Sequence, residues 1–201
     1  MADLYRDRFA DELDRKPFDR EFLAGAAARI VAEQLGAPVL EVGAGPGHIG
    51  AHLAGHGVPV VTSDASRGQL AQARALQPRA SIVLCDLANL PARDGSLAGI
   101  LAFYCLIYTP PELLGAVFAE WRRALVPGGL VVAAVQAGDG TIHHDHFDDR
   151  TVDLTVVLRD PDDVARRLVD AGFAVEQQVV RAPYADEGTH RMYVLARAQP
   201  C

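Results

Sequence analysis

Short apolar runs alternate with helix-like stretches along the first two thirds of the chain. Each run has the length of a strand, and most are rich in Val, Ile or Leu, which is typical of parallel strands buried on both faces. Strands that alternate with helices form βαβ units, so this pattern predicts a doubly wound α/β sheet with helices on both faces. The predicted strands are 39–42, 58–62, 81–85, 99–103 and 130–135, and the predicted helices are 19–35 with Asp19 as N-cap, 47–54, 68–76 and 111–125.

The last third of the chain has a different pattern. Residues 151–159 alternate β-branched side chains and predict an extra strand, and residues 161–171 predict a helix with Asp160 as its N-cap. Two further predicted strands, 173–181 and 191–198, are separated by a turn-rich segment that is short enough for a hairpin. The pattern therefore predicts an antiparallel pair at the end of an otherwise parallel sheet.

The length of 201 residues and the hydrophobic fraction of 50% are typical of one globular domain, 1–201, with a single core. The formal net charge is -7 and the basic residues are dispersed among acids, which argues against a nucleic-acid partner. No apolar run reaches the roughly 20 residues of a membrane span, and the N-terminus lacks the apolar stretch of a signal peptide. We therefore expect a cytoplasmic protein without a membrane partner, either a monomer or a homodimer.

A glycine-rich loop, Gly43-Ala44-Gly45-Pro46-Gly47, follows the first predicted strand and opens the next helix. Glycine lets the backbone turn sharply and approach a ligand, and the helix N-terminus beyond it supplies free N–H groups. In dinucleotide-binding domains this geometry holds a pyrophosphate. Here the spacing is G-x-G-x-G, and His48 stands where the third glycine of G-x-G-x-x-G is expected, which argues against NAD or FAD.

Three acidic residues lie at the ends of the first three predicted strands. Glu41 precedes the first glycine by two residues, where a carboxylate suits a cationic amino group. Asp64 lies 21 residues after Gly43, which suits a bidentate contact with ribose hydroxyls. Asp86 ends the third strand, where it can accept a hydrogen bond from an adenine amino group. The alternative is that each acid is an ordinary helix cap or strand-end residue.

These motifs, in this order, resemble those of the class I S-adenosylmethionine (SAM)-dependent methyltransferases. The matching stretches are 39–47, 62–66, 86–91, 101–108 and 120–129, followed by the final antiparallel pair. The resemblance extends over nearly the whole chain. It implies a seven-stranded, mostly parallel sheet whose last strand is antiparallel, with SAM over the carboxyl ends of the first strands.

By the same resemblance, residues 1–18 are the N-terminal lid segment of small bacterial members, in which an aromatic residue such as Tyr5 reaches the carboxylate side of SAM. Lys16 is expected either to pair with that carboxylate or to be a solvated surface charge. The resemblance further implies cofactor contacts at the glycine loop and the strand ends, namely Glu41, Gly43, Ala44, Gly45, Gly47, His48, Asp64, Ala65, Asp86, Leu87 and Phe103.

The residues after the fourth predicted strand are the first candidates for the chemical step. Methyl transfer needs a nucleophile in line with the methyl group, held in a dry site. Tyr104 and Tyr108 are candidate catalytic residues there. Similar chains often have His at the position of Tyr108. A Tyr at that position can donate a hydrogen bond, but it is a poor base at its usual pKa of about 10.

The segment 136–146, expected to be a loop after the fifth strand, carries the densest set of chemical groups. His143 or His144 is a candidate base near neutral pH. The three His and one Asp of residues 143–146 also suit a divalent metal such as zinc or iron. Adjacent side chains rarely converge on one ion, so no metal is assigned, and a solvated polar loop is the third alternative.

The sequence thus predicts a SAM-dependent methyltransferase that methylates oxygen, nitrogen or carbon of a small-molecule acceptor in secondary metabolism. An acidic acceptor is favoured if Arg159, Arg181 or Arg191 faces the pocket. The alternative is a protein of the same fold that binds SAM or S-adenosylhomocysteine (SAH) without methylating. A nicotinamide-dependent reductase is disfavoured by the loop spacing.

Overall fold

The computed structural model describes residues 2–200 as a main sheet flanked by helices, with a separate hairpin. The strands are β1 (Val39–Glu41), β2 (Val60–Asp64), β3 (Ser81–Leu84), β4 (Leu97–Phe103), β5 (Leu125–Ala137), β6 (Thr141–Phe147), β7 (Arg150–Val157), β8 (Phe173–Arg181) and β9 (His190–Ala198). The α-helices are α1 (Ala2–Phe9), α2 (Glu12–Arg15), α3 (Pro17–Glu33), α4 (His48–Gly55), α5 (Arg67–Leu76), α6 (Leu114–Ala124) and α7 (Pro161–Asp170). Short 3-10 helices lie at Leu106–Tyr108 and Pro111–Leu113. No helix in this part of the chain is long and apolar enough to cross a membrane.

The main sheet has seven strands in the order β3-β2-β1-β4-β5-β9-β8. β1 pairs in parallel with β2 and β4, β2 with β3, and β4 with β5. β9 is antiparallel to both β5 and β8. The predicted mostly parallel sheet with an antiparallel last strand is therefore confirmed. Because parallel strands end at the same edge, the carboxyl ends of β1, β2, β4 and β5 lie side by side, where ligands bind in open α/β sheets.

The fifth strand is longer than predicted. It begins at Leu125 rather than at residue 130, because Leu125 pairs with Leu97 of β4 and a β-bulge follows. The predicted helix 111–125 is also divided, since a 3-10 turn precedes the regular helix that begins at Leu114. The chain thus passes from α6, which ends at Ala124, directly into β5, which begins at Leu125.

Helix α3 begins at Pro17, two residues earlier than predicted, and its N-cap residue is Lys16. Proline is favoured at the first helical position because it has no N–H to satisfy there. The prediction that Asp19 is the N-cap is therefore wrong. Asp19 is only 1% exposed, and its carboxylate instead accepts hydrogen bonds from the hydroxyls of Tyr104 and Tyr193.

The segment predicted as a histidine-rich loop is strand β6. It pairs antiparallel with β7 in a two-stranded hairpin outside the main sheet. The extra strand predicted at 151–159 is confirmed as β7. The loop prediction was wrong because the consecutive polar residues His143, His144 and Asp145 hide the alternation of faces that marks a strand.

Alternate residues of the central strands enter two separate core layers. On β4, Ile100 belongs to the layer under α6 and α7, and Leu101 belongs to the layer under α3 and α4. Trp121 of α6 is fully buried in the first layer, with its ring centroid 5.4 Å from that of Phe118. Its indole N–H donates a hydrogen bond to the carbonyl of Leu87 at 2.9 Å. The hydrogen bond of Trp121 therefore holds α6 against the segment that follows β3.

We predict that Trp121→Ala lowers the free energy of unfolding by about 3–5 kcal/mol, because it leaves a cavity in the core and an unpaired carbonyl at Leu87. Urea unfolding followed by circular dichroism measures this loss. Val169→Ala on α7 is the control, since Val169 is 56% exposed, and it should change stability by less than about 0.5 kcal/mol. Equal losses in the two variants would contradict this role of Trp121.

Candidate active site

A cavity of about 1070 Å³ lies at the carboxyl edge of β1, β2, β4 and β5. Its walls are the glycine loop, the strand ends, α1, α2 and the β6–β7 hairpin. Pockets for a single small ligand are typically about 300–1,000 Å³. The cavity is therefore large enough for two small molecules side by side.

The glycine loop takes a backbone path that L-residues with side chains rarely adopt. Gly43, Gly45 and Gly47 have φ values of 59°, 55° and 79°. A Cβ atom on Gly43 would lie 2.4 Å from the Cβ atom of Cys105, so this position needs glycine to pack on the end of β4. Gly47 does not line the cavity and packs against Gln77 instead. The predicted contact of Gly47 with the cofactor is therefore not supported, whereas Gly43 and Gly45 line the cavity.

Glu41 is buried at the end of β1, below the first turns of α4. Its Oε1 accepts a hydrogen bond from the backbone N–H of Gly50 at 2.9 Å. Its Oε2 accepts no hydrogen bond from the described residues. Burial raises the pKa of Glu41 to about 8, although the hydrogen bond from Gly50 lowers it. Glu41 is thus protonated near neutral pH, with one oxygen left for a further partner.

Asp64 and Asp86 both line the cavity at the ends of β2 and β3. The Asp64 carboxylate accepts hydrogen bonds from the backbone N–H groups of Gly45 at 2.9 Å and Ser66 at 2.7 Å. Burial raises its pKa above the ordinary value. The Asp86 carboxylate accepts one from the N–H of Ala88 at 2.7 Å. Each carboxylate is held by backbone donors, which fixes its direction and leaves acceptor capacity for a ligand.

Helix α1 crosses the mouth of the cavity from the glycine loop to the hairpin. The ring of Tyr5 lies over Gly45, 3.3 Å from where a Cβ atom of that glycine would be. The Tyr5 centroid is 4.4 Å from that of Phe9 and 6.1 Å from that of Phe147 at the end of β6. Arg8 also forms a 2.8 Å ion pair with Asp148 in the hairpin turn.

Lys16 is buried rather than solvated, so the surface-charge alternative is wrong. Its Nζ donates a hydrogen bond to Oε2 of Glu12 at 2.6 Å and lies 3.7 Å from Glu187. Glu12 Oε1 is 2.8 Å from Nε2 of His48, the first residue of α4. Burial raises the pKa of Glu12, but the contacts with His48 and Lys16 outweigh it and bring the pKa below the ordinary value. The N-terminal segment is thereby anchored beside the glycine loop.

Tyr104 follows β4 with a φ of 56°, an uncommon conformation for a residue with a side chain. Its hydroxyl donates a hydrogen bond to Asp19 at 2.9 Å and is 3.0 Å from the hydroxyl of Tyr193. Burial, together with the charge of Asp19, raises the pKa of Tyr104 well above its ordinary value. Tyr104 therefore lines the cavity with its hydroxyl protonated and its ring held in place, so it does not act as a base.

The remaining catalytic candidates do not all reach the cavity. Tyr108 and His144 line it. His143, by contrast, lies on the other face of the hairpin, where its Nδ1 is 3.4 Å from the hydroxyl oxygen of Thr155. The expectation that His143 takes part in the chemistry is therefore not supported by its position. Within residues 2–200, no group of three or more His, Cys, Asp or Glu side chains is arranged to hold a metal ion.

The three arginines that raised the question of an acidic acceptor are all engaged with protein groups. Arg159 is buried outside the cavity, where it donates to the carbonyls of Leu106 and Thr109. Arg181 forms ion pairs with Asp19 and Glu187. Arg191 lines the cavity, with its Nε 3.5 Å from a Glu187 oxygen. The role of Asp19 is not visible in the sequence because its partners are remote in the chain. Glu187, by contrast, pairs mainly with the nearby Arg181 and Arg191.

Residues 39–129 match the family model described as a methyltransferase domain. A demethylmenaquinone methyltransferase of Beutenbergia cavernae is 35% identical over 99 residues. That alignment covers 49% of this chain and 40% of the enzyme, so the chain spans less than half of the length of this relative.

Solved structures share the fold over most of the chain. A SAM-dependent methyltransferase of Methanosarcina mazei has a TM-score of 0.73 at 15% identity, covering 81% of this chain and 92% of that one. The magnesium protoporphyrin IX methyltransferase of Synechocystis, with bound SAM, has a TM-score of 0.71 at 18% identity, covering 98% and 90%. A Burkholderia thailandensis N1-methyltransferase with bound 1,6-didemethyltoxoflavin and SAH has a TM-score of 0.67 at 23% identity, covering 99% and 89%.

Residues 39–129 thus match a methyltransferase domain, and the sheet order and glycine loop are those of a Rossmann-like fold. This fold is shared with SAM-dependent methyltransferases, one of which was solved with its cofactor SAM bound.

The residues of the cavity fit this cofactor. SAM has a cationic sulfonium and amino group, a ribose and an adenine, and the cavity offers carboxyl groups at the ends of β1, β2 and β3. The Oε2 atom of Glu41 has no hydrogen-bond partner among the described residues, so this carboxyl can still pair with a ligand group. Eleven predicted cofactor contacts besides Glu41 line the cavity, namely Tyr5, Lys16, Gly43, Ala44, Gly45, His48, Asp64, Ala65, Asp86, Leu87 and Phe103.

We predict that Glu41 lowers the free energy of unfolding as the pH rises from 5 to 7. The unfolded chain loses the Glu41 proton above its ordinary pKa of 4.5, whereas the folded carboxyl keeps it until about pH 8. The unfolded state then binds fewer protons, so stability that is present at low pH is lost at about 1.4 kcal/mol per pH unit as the pH rises. In Glu41→Gln this loss should be absent. The variant should therefore gain about 2–3 kcal/mol over the wild type from pH 5 to pH 7 in urea unfolding without ligand. The same pH dependence in both proteins would contradict a buried, protonated Glu41.

Proposed function

We propose that the protein transfers a methyl group from SAM to a small-molecule acceptor. The observation that carries this proposal is a single cavity that is lined both by the cofactor residues and by Tyr108, His144 and Arg191. We call the part of the cavity near these three residues the acceptor compartment. Helix α1 and the hairpin meet across its mouth through Tyr5 and Phe147, which suits a small molecule better than a polymer. The net charge of -7 also disfavours nucleic acid.

The names of two similar proteins support a small acceptor. One is a demethylmenaquinone methyltransferase, and the other holds 1,6-didemethyltoxoflavin together with SAH. In this chain, we assign Asp64 to the ribose hydroxyls, Asp86 to the adenine amino group and Glu41 to the amino-acid end of SAM. Tyr5 and Lys16 lie on the N-terminal segment beside that end.

The residues of this chain orient the cofactor and exclude water from the cavity. When bound, SAM supplies an electrophilic methyl group and its sulfur takes the electron pair of the broken bond. Backbone donors fix Asp64 and Asp86, so the cofactor is held by groups that need no reorganisation. The rings of Tyr5, Phe147 and Tyr104 line the cavity and limit the access of solvent to it.

Thermal shift with SAM, SAH and NADH tests the proposal. SAM and SAH should both raise the melting temperature, since a ligand that binds only the folded state stabilises it. Transfer of a labelled methyl group to a panel of small metabolites should then separate an enzyme from a protein that only binds SAM. A rise with NADH alone, or binding of SAM without transfer to any small acceptor, would contradict the proposal.

We predict that Asp64→Ala weakens SAH binding by about 1–3 kcal/mol, roughly 5- to 150-fold, because it removes both ribose acceptors. Isothermal titration calorimetry measures the affinity. Asp94→Ala is the matched control, since Asp94 pairs with Arg123 on the surface and does not line the cavity. It should bind SAH as the wild type does. An Asp64→Ala variant that melts as a folded protein and keeps wild-type affinity would refute the ribose assignment.

We also predict that SAH slows hydrogen exchange in α1 more than in α2. Helix α1 has no buried residue, whereas the side chains of Glu12 and Lys16 are 8% and 10% exposed and ion-paired. Few buried contacts mean a low free energy of local opening, and a ligand beneath α1 should raise that free energy. Exchange followed by mass spectrometry with and without SAH gives the comparison. Unchanged exchange at residues 2–9 would show that α1 does not cover the ligand.

A further inference from the structure

We propose that the acceptor is an uncharged, flat ring compound with an ionisable hydroxyl, bound against the inner face of the β6–β7 hairpin with its hydroxyl directed to His144. This inference rests on the proposed methyl transfer and adds the chemical class of the acceptor. It also assigns the proton acceptor of the reaction.

One face of the hairpin forms an apolar wall of the cavity. Val152, Leu154 and Val156 of β7 line the cavity, as do Ile142 and His144 of β6. Ile142 pairs with Val156, and His144 pairs with Leu154. His144 is therefore the polar residue placed among these aliphatic side chains, whereas the other polar lining residues of the strands, His146 and Asp153, have side chains that are 60% and 94% exposed.

The outer face of the hairpin has the opposite character. His143 pairs with Thr155, its side chain is 57% exposed, and neither residue lines the cavity. Successive residues of a strand point to opposite faces, so the two adjacent histidines have different surroundings. His143 and Thr155 thus provide matched controls for His144 and Leu154.

The wall that faces the hairpin is also apolar and aromatic. The 3-10 helix Leu106–Tyr108 packs against β7, and Ile107 and Tyr108 of this helix line the cavity. The ring of Phe147 lies at the outer end of the same space. Aliphatic and aromatic walls on both sides favour a ligand with a flat apolar body, since aromatic rings stack with an offset or pack edge to face.

The buried charges around the acceptor compartment favour an uncharged ligand. Apart from Glu12 and Lys16 beside the glycine loop, the buried or nearly buried charged side chains there are two carboxylates and two cations, namely Asp19, Glu187, Arg181 and Arg191. They neutralise one another in ion pairs. An anionic acceptor would have to break one of these pairs and leave a buried carboxylate without its partner, which is costly.

Two histidines of this wall can take a proton, and His144, which pairs with Leu154, lies among the aliphatic residues, whereas His146 pairs with Thr151 near the turn. During transfer, the acceptor oxygen forms a bond to the methyl carbon, and the bond from that carbon to sulfur breaks with its electron pair remaining on sulfur. The hydroxyl proton of the acceptor passes to the imidazole of His144. Histidine suits this step because its charge changes near neutral pH.

Binding of bicyclic probes to the protein saturated with SAH tests the acceptor class. We expect 2-naphthol to bind and to bind more tightly than 6-hydroxy-2-naphthoate, which has the same rings and hydroxyl with an added negative charge. Calorimetry in the presence of SAH measures both affinities. No binding of 2-naphthol, or tighter binding of the carboxylate, would overturn the inference. Loss of SAH binding itself would instead count against the proposed function.

Variants of the hairpin then test the wall. Leu154→Gln and Val152→Gln should each weaken 2-naphthol binding by about tenfold, as changes of apolar contact in a pocket do, with SAH affinity unchanged. Thr155→Gln on the outer face should leave both affinities at wild-type values. Equal losses from Thr155→Gln and Leu154→Gln would contradict a binding role of the inner face.

His144→Gln tests the proton acceptor against His143→Gln. We expect His144→Gln to lower the rate of 2-naphthol methylation at pH 7 by about 100-fold, the scale of general base catalysis, while SAH affinity is unchanged. His143→Gln should methylate at the wild-type rate, because the structure places this residue outside the cavity. Equal rates in the two variants would overturn the role of His144.

Discussion

The buried carboxylate of Asp19 holds together the parts of the molecule that form the cavity. It lies on α3 and accepts hydrogen bonds from Tyr104 after β4 and Tyr193 on β9, and it pairs with Arg181 on β8. Four elements that are remote in the sequence thus meet at one charged group. Because an unpaired buried charge costs several kcal/mol, this group tolerates little displacement of its partners. The network therefore determines where the ring of Tyr104 lies in the cavity, and it forces the uncommon backbone conformation of that residue to persist.

The two sides of the cavity are built on different principles. The cofactor side is the edge of a parallel sheet, where backbone N–H groups of Gly45, Ser66 and Ala88 hold carboxylates in place. The acceptor side is a two-stranded hairpin outside that sheet, with aliphatic side chains directed inward. The hairpin is joined to the main sheet near its base, at the bridge between Ala137 and Arg159, so the inner residues beyond that bridge can change without altering the cofactor side. This separation is the physical reason to look for acceptor specificity at positions such as Leu154.

The sequence predicts the elements whose signals are local. Three of these signals depend only on neighbouring residues: the strand alternation, the glycine loop and the N-cap of α7. At that cap, Asp160 accepts a hydrogen bond from the N–H of Asp163. Asp19 and the hairpin were misread for two different reasons. Asp19 precedes a helical pattern, as a cap does, but its partners lie 85 to 174 residues away, and no local pattern reveals them. In β6, consecutive polar residues hide the alternation, so only the pairing with β7 shows that His143 and His144 point in opposite directions.

Helix α1 connects the two sides of the cavity at low cost. It contacts the glycine loop through Tyr5, the hairpin through Phe147 and the Arg8–Asp148 ion pair, and Gln72 of α5 through hydrogen bonds of Asp3 and Arg6. An aromatic pair contributes about 0.5–1.5 kcal/mol beyond its buried area, an exposed ion pair about 0–1 kcal/mol and a hydrogen bond about 0.5–1.5 kcal/mol. Breaking these contacts therefore costs a few kcal/mol at most, far less than displacing the buried network at Glu12 and Lys16. The cavity can thus open at α1 to exchange both ligands while the segment that follows stays in place. Since one helix touches both sides, closure over the cofactor also closes the acceptor compartment, and the reaction is shielded from water when both molecules are bound.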